Sequence, residues 1–171
     1  MGMDVMGKNP KSERGEYFRN NVWWWRPLWD YCCEVAPDLC NDVSGHYNDG
    51  DGLESVESVL LSERLLSSLS NGFVDKYIEE RNNHIANLPM RGCDICHNTG
   101  IRTDEVGREG GMPEKVLEQD KAIMLGREIG WCNGCDGRGW NEPWEASYPF
   151  SRENVEEFAL FLRESGGFSI C

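Results

Sequence analysis

Two C-x-x-C pairs constrain this chain more than any other feature of its sequence. One pair lies in CDICHNTG and the other in CNGCDGRG, and 35 residues separate them. A tight turn within each pair can bring both thiolates to one side of a metal ion, with backbone amides directed at the sulfur atoms. Two such turns complete a closed tetrahedral site. The sequence therefore predicts one structural Zn2+ ion, held by Cys93, Cys96, Cys132 and Cys135.

Other roles for these cysteines fit the pattern less well. Disulfides are typical of exported proteins, and the first residues, MGMDVMGKNPKSERGE, lack the apolar core of a signal peptide. A redox pair of the thioredoxin type needs a single C-x-x-C in a β-α-β context. Catalytic zinc needs an open position, which four cysteine ligands do not leave, and the symmetry of the pairs disfavours His97 as a ligand. The other cysteines are expected to be free and mostly buried: Cys32, Cys33, Cys40 and Cys171.

The segment CNGCDGRG resembles the C-x-x-C-x-G-x-G repeat of the cysteine-rich region of the J-domain co-chaperones. It matches the repeat through four residues, Cys132, Cys135, Gly137 and Gly139. CDICHNTG matches at its cysteines and at Gly100 but has Asn98 at the first glycine position. The co-chaperones carry four repeats and bind two zinc ions, so two repeats imply one ion. No segment resembles their J-domain, and the resemblance therefore implies a zinc hairpin over residues 91–140 without chaperone activity.

Four further segments, taken together, are similar to a group of uncharacterised proteins of bacteria and their phages. They are YFRNNVWWWRPLW, GHYNDG, WCNGCDGRG and ENVEEFALFLRESGGFSIC. This resemblance covers most of residues 16–171 and implies a single domain that contains the zinc hairpin. For a phage-encoded protein of this size it implies a binding role directed at a host protein, including antagonism of a defence system. It carries no activity and no catalytic residue.

The charge of the chain bears on its partners. The formal net charge is −13, although residues 8–26 hold five basic and two acidic side chains, so residues 27–171 sum to about −15. Such a surface repels phosphate backbones, which disfavours binding to duplex nucleic acid. Two interpretations of the acidity remain open: it maintains solubility, or it lets the protein occupy a basic, nucleic-acid-binding surface on another protein. No stretch is long and apolar enough to span a membrane, and a cytoplasmic location is expected.

The apolar periodicity predicts a mainly helical α+β fold in one small domain. A chain of 171 residues can bury roughly 70% of its extended-chain surface around one core. Residues 1–14 are polar and are expected to form a flexible tail ahead of a globular domain over 15–171. Within the hairpin, residues 104–130 form a loop-rich insertion, either flexible or containing a short helix that begins at Pro113.

Caps and stop signals set the predicted elements. Pro27 predicts a helix over 27–36 that Pro37 ends, and Arg26 is expected to be extended because it precedes a proline. Residues 22–25 ahead of it are also predicted to be extended, with Trp23 and Trp25 facing one way and Trp24 the other. Further helices are predicted over 54–71 and 73–87, paired as an antiparallel hairpin, with Gly72 between them. A last helix follows the N-cap Ser151, ends at Gly166-Gly167 and is followed by a short terminal strand.

Seven tryptophans are many for this length, and four of them lie within residues 23–29. They either build the core and cover the zinc hairpin, where Trp131 and Trp140 flank the second pair, or line a pocket. In a pocket their rings would stack on a planar ligand while an arginine neutralises its negative charge. The residues predicted for such a site of a small anionic, nucleotide-like ligand are Arg19, Trp23, Trp24, Trp25, Arg26 and Tyr47.

An enzyme is the third class considered. The sequence contains no G-x-S-x-G motif, no Walker loop and no histidine-rich metal motif, which favours a protein that is not an enzyme. The best candidate for a catalytic site is the loop with His46, Asp49 and Asp51. The interpretation that fits the sequence best is a zinc-stabilised acidic protein that binds a host protein, with the small anionic ligand as the alternative.

Overall fold

The computed structural model describes residues 2–171. The chain divides into two compact units, one formed by residues 2–86 and 147–171 and the other by residues 87–146. The described residues form seven α-helices and five short β-strands, which confirms the predicted mainly helical α+β class. The second unit coincides with the predicted zinc hairpin, 91–140, with a few more residues at each end.

A three-stranded antiparallel sheet belongs to the first unit. Its central strand is β1 (Gly2–Gly7), which pairs with β2 (Tyr17–Asn21) on one side and with β5 (Phe168–Ile170) on the other. Met3 and Val5 alternate with more exposed residues and are buried. The prediction of a flexible tail over residues 1–14 is therefore wrong for residues 2–14, since backbone hydrogen bonds also join residues 8, 9 and 11 to residues 164–167, and residue 1 lies outside the described residues. The strand β1 has only six residues, which is too short to indicate a strand by itself, and one of its two partners, β5, lies at the other end of the chain.

The first long helix, α1 (Val22–Val35), begins five residues earlier than predicted. The extended conformation predicted for residues 22–25 is wrong, because the side-chain oxygen of Asn21 caps the helix. It accepts hydrogen bonds from the amides of the second and third helical residues, at 3.0 and 3.1 Å. Pro27 lies inside the helix and is buried, so the cap and the packing around it outweigh the hydrogen bond that a proline removes.

Four more helices complete the first unit: α2 (Pro37–Cys40), α3 (Ser55–Ser70), α4 (Phe73–Asn87) and α7 (Arg152–Ser165). The boundaries predicted for the last three are confirmed to within about one residue. However, α3 packs most extensively on α7, not on α4 as the predicted hairpin requires. Two buried serines of α3 allow this close packing: the hydroxyls of Ser58 and Ser62 donate to the carbonyl oxygens of Leu162 and Ala159, at 2.9 and 2.6 Å.

Aromatic side chains from α1, α7 and β5 form the centre of the core. Trp25 and Trp29 stack with ring centroids 5.8 Å apart, and Phe158 meets Trp25 edge-on at 5.4 Å. Phe168 of the terminal strand lies edge-on to Trp29 at 6.3 Å and to Phe158 at 6.0 Å. All four rings are essentially inaccessible to solvent. Edge-to-face and offset-stacked pairs of this kind add to the stabilisation that burial itself supplies.

The second unit is built on a short two-stranded ribbon, β3 (Arg91–Gly92) paired with β4 (Trp140–Asn141). The segment 104–130 contains two short helices, α5 (Glu105–Glu109) and α6 (Gln119–Leu125), neither of which begins at Pro113. An isolated antiparallel bridge joins Val116 to Ile129 and closes the loop around α6. No helix among residues 2–171 has the length and apolar character that crossing a membrane requires.

Candidate metal centre

Four cysteine side chains of the second unit meet in a buried cluster. The Sγ atoms of Cys93, Cys96, Cys132 and Cys135 all lie within 4.8 Å of one another, and each residue is at most 3% exposed. Across the two pairs, Cys93 Sγ lies 3.9 Å from Cys132 Sγ, and Cys96 Sγ lies 3.7 Å from Cys135 Sγ. A tetrahedral thiolate site with metal–sulfur bonds of about 2.3 Å has edges of about 3.8 Å. The cluster can therefore hold one metal ion.

The two C-x-x-C turns have nearly the same backbone. The amide of Asn98 donates to the carbonyl of Cys93 at 3.1 Å, and the amide of Gly137 donates in the same way to Cys132 at 2.9 Å. The residue after each second cysteine has a positive φ, 49° at His97 and 51° at Asp136. Each turn therefore presents its two sulfur atoms in the same orientation, as expected of two halves of one metal site.

Each turn also directs a backbone amide at its second sulfur. The amide of Gly100 lies 3.2 Å from Cys96 Sγ, and the amide of Gly139 lies 3.1 Å from Cys135 Sγ. Both glycines have positive φ, and a Cβ on Gly100 or Gly139 would come within 2.4 Å of a carbonyl oxygen of the opposite turn. Glycine is required here by conformation and by the close approach of the two turns.

Asn98 fills the one position at which the first turn departs from the C-x-x-C-x-G-x-G repeat. Its φ is 68°, close to the 79° of the equivalent Gly137. Asparagine tolerates the left-handed conformation better than other residues that carry a side chain. The departure in sequence therefore leaves the geometry of the turn unchanged.

The thiols of the cluster differ in their tendency to ionise. Burial raises the pKa of Cys132, and it raises the pKa of Cys135 to about 12. At Cys93 burial also disfavours the thiolate, but hydrogen bonds from the backbone and side chain of Cys96 and from the Cys135 thiol outweigh it and lower the pKa. Four thiolates this close repel one another, so a bound cation is what would allow all of them to be charged.

Arg127 joins the two turns, a role that the sequence analysis missed. Its Nη2 donates to the carbonyl oxygens of Gly100 and Gly137, at 3.0 and 2.5 Å, and these two residues belong to different turns. It lies in the insertion, just after α6. Its spacing from the cysteines matches no motif that would have indicated a role at the metal centre. The insertion thus supplies a bridge between the two halves of the metal centre.

We expect Arg127→Ala to release the metal to a chromogenic chelator about ten times faster than the parent protein, since groups that hold metal ligands in place typically contribute at least this factor to metal affinity. Arg108→Ala, which removes an exposed arginine of the same unit, serves as the control. Equal release rates for the two variants would contradict the bridging role.

Trp131 and Trp140 lie on the second turn in different ways. Trp131 is 8% exposed, and its ring packs so close to Gly137 that a Cβ there would lie 3.0 Å away. Lys115 and Lys121 place their ammonium groups 4.9 and 4.1 Å from the centre of the same ring. Trp140 is half-exposed beneath the guanidinium of Arg138. Trp131 therefore covers the metal centre, as one of the two interpretations of the tryptophans proposes.

The residues predicted to bind a planar ligand do not form one pocket. Trp25 is completely buried and its Nε1 donates to the carbonyl of Gly45 at 2.7 Å, so it has no free face for a ligand and its assignment as a ligand residue is wrong. Trp23 is 42% exposed and packs on Tyr148 with centroids 4.9 Å apart. Trp24 is half-buried and lines an open cleft together with Arg19.

The other two predicted ligand residues, Arg26 and Tyr47, are exposed and do not line this cleft. Two carboxylates, Glu153 and Glu157, line it instead and outnumber the single arginine. The structure therefore gives no support to the charge complementarity on which the alternative of an anionic ligand was based.

The loop considered for catalysis has structural contacts. His46 Nε2 lies 3.1 Å from Asp30 Oδ1. Asp51 accepts hydrogen bonds from the amides of Ser44 and Gly52, at 2.7 and 2.8 Å, and these lower the pKa of its carboxyl group. Asp49 accepts from the amide of Asp51 at 3.2 Å. The hydrogen bonds of the two carboxylates hold the loop in shape, and His46 pairs with a residue that the sequence analysis did not select.

Among the remaining cysteines, Cys32 and Cys40 are buried, Cys33 is half-buried and Cys171 is exposed, and all are free thiols. Burial raises the pKa of Cys32, and it raises the pKa of Cys40 to about 12. Cys32 and Cys40 therefore behave as small apolar side chains of the core, whereas the expectation of burial is wrong for Cys171.

Comparison of the chain with protein-family models, with curated protein sequences and with solved structures found no match.

Proposed function

We propose that the protein is a zinc-stabilised acidic binding protein that acts on a basic surface of another protein in the cytoplasm. The observation that carries the metal part of the proposal is the closed set of four buried sulfur atoms at tetrahedral spacing. Zinc suits such a site because it accepts four thiolates without geometric strain, and a full cysteine shell leaves no position for a substrate or an activated water molecule. The metal then has a structural role.

The charge of the chain supports the binding role. The first unit carries ten basic and nineteen acidic side chains and the second carries seven and eleven, so both units are acidic. An acidic surface attracts a basic surface on another protein and raises the rate of association of the two proteins. Once bound, it repels the nucleic acid that would otherwise bind the same basic surface. On the resemblance to phage-associated proteins, the partner would be a host protein that binds nucleic acid, such as a component of a defence system.

Displacement from DNA tests this function. A bacterial lysate is loaded on a duplex-DNA column at about 0.15 M salt, and the purified protein is applied at micromolar concentration. We expect it to elute a small set of DNA-binding proteins, and we expect its affinity for an isolated member of that set to fall at least tenfold when the salt concentration is doubled. An unrelated protein of equal net charge is the control. Elution of the same set by the control, or micromolar binding of this protein to the duplex itself, would contradict the proposal.

A further inference from the structure

The cleft beside Trp24 belongs to the first unit and has a volume of about 500 Å³. Three elements supply its walls: the end of β2, the first turn of α1 and the first two turns of α7. Six of its lining residues carry the chemistry discussed below: Arg19, Asn20, Trp24, Glu153, Asn154 and Glu157. These six residues give the cleft one indole, two carboxylates, two amides and one guanidinium.

The charges favour a cation in this cleft. Glu153 and Glu157 are four residues apart and lie on one face of α7. Glu153 is charged at neutral pH, and hydrogen bonds from its own backbone amide and from the Ser151 hydroxyl lower the pKa of its carboxyl group further. The one cation, Arg19, stands directly opposite Asp4 in the sheet register. Two carboxylates against a single arginine give the cleft a net negative charge.

The half-buried indole of Trp24 adds a surface on which a flat cation can stack. An arginine side chain fits this combination better than a lysine, because its planar guanidinium stacks on aromatic rings and donates two parallel hydrogen bonds to a carboxylate. Lysine offers a compact ammonium group, which can lie over a ring but can neither stack flat on it nor donate two parallel hydrogen bonds.

An unused donor provides a second, independent observation. Asn154 Oδ1 accepts a hydrogen bond from Asn20 Nδ2 at 2.9 Å. Asn154 Nδ2 is itself buried and has no hydrogen-bond partner among residues 2–171. A buried donor without an acceptor costs free energy, and such groups in folded proteins are nearly always paired. This nitrogen is closed to solvent, so a carbonyl oxygen of a bound peptide would satisfy it once the Asn154 side chain turns toward the cleft.

We infer that the cleft receives an arginine residue of the partner protein, with the guanidinium between the Trp24 indole and the carboxylates of Glu153 and Glu157, and a main-chain carbonyl at Asn154. The inference rests on the proposed function, because it names the site through which the acidic protein engages a basic partner. Specificity for the partner then depends on one arginine in an accessible segment of the partner. The general attraction between opposite charges adds to it.

The test uses N-acetyl-arginine-methylamide as the probe and the full chain in its zinc-bound form. Binding is followed by the NMR resonance of the Trp24 indole N–H, which Trp24→Phe assigns. We expect a saturable shift with a millimolar dissociation constant, and at least a tenfold weaker shift with the citrulline analogue, which has the same shape without the charge. Glu153→Gln and Glu157→Gln should each weaken binding several-fold. Glu156→Gln, on the same helix but outside the cleft, should leave binding unchanged.

Three results would overturn the inference: no shift with the arginine probe, equal binding of the citrulline analogue, or a tighter response to inorganic phosphate or to a neutral sugar. The test also separates this inference from the proposed function. If the Glu153→Gln/Glu157→Gln double variant still displaces DNA-binding proteins as well as the parent does, the cleft assignment fails and the proposed function stands. If the arginine probe binds but the parent displaces no protein from DNA, the proposed function fails.

Discussion

Cys135→Ser is expected to abolish metal binding and to unfold the second unit. Structural zinc contributes on the order of 10 kcal/mol to the folding of small zinc-binding peptides. The second unit has little else to stabilise it: apart from Leu117 and Trp131, the buried apolar residues described in it are the four cysteines. Loss of one ligand therefore removes the main source of its stability, and we expect a loss of several kcal/mol.

Elemental analysis and hydrogen exchange measure the two effects. The parent protein, purified without chelator, should contain one zinc ion per chain, and Cys135→Ser should contain almost none. Amides of residues 87–146 should lose their protection in the variant. Cys171→Ser removes an exposed thiol outside the cluster and is the matched control, with one zinc ion and parental protection expected. Iron in place of zinc, or a folded and protected second unit without metal, would contradict the assignment.

Trp25→Ala should be the most destabilising single substitution among the clustered tryptophans. The side chain is fully buried against Trp29 and Phe158, and its Nε1 satisfies the carbonyl of Gly45. Removing a buried large aromatic ring typically costs 3–5 kcal/mol, or about half the stability of an ordinary domain. The unpaired carbonyl adds to this cost.

Neighbouring tryptophans provide the controls. Trp23 is 42% exposed and Trp24 is half-buried at the cleft, so Trp23→Ala and Trp24→Ala should each cost far less than Trp25→Ala, about 1 kcal/mol. Urea unfolding followed by circular dichroism gives the comparison. If Trp25→Ala unfolds at the same urea concentration as the two controls, the core assignment of Trp25 is wrong.

Some elements of the first unit followed directly from local sequence. The ends of α3, α4 and α7 were predicted because caps and glycine stops act within a few residues of where they stand, as with Ser151 and Gly166. The beginning of α1 was not predicted, because a residue before proline disfavours the helical conformation only as a tendency. The cap at Asn21 and the burial of Trp25 and Trp29 outweigh that tendency.

The sequence by itself determined the four candidate metal ligands, since two C-x-x-C pairs encode their own turns and thiolate chemistry depends on residue type. Only the tertiary structure decided that Gly2–Gly7 is the central strand of a sheet, because its partner β5 lies at the other end of the chain. It also decided that Arg127 bridges the two cysteine turns and that Trp24 lines one cleft with Glu153 and Glu157. These groupings depend on contacts between segments that are distant in the sequence. The spacing of residues along one segment does not predict such contacts.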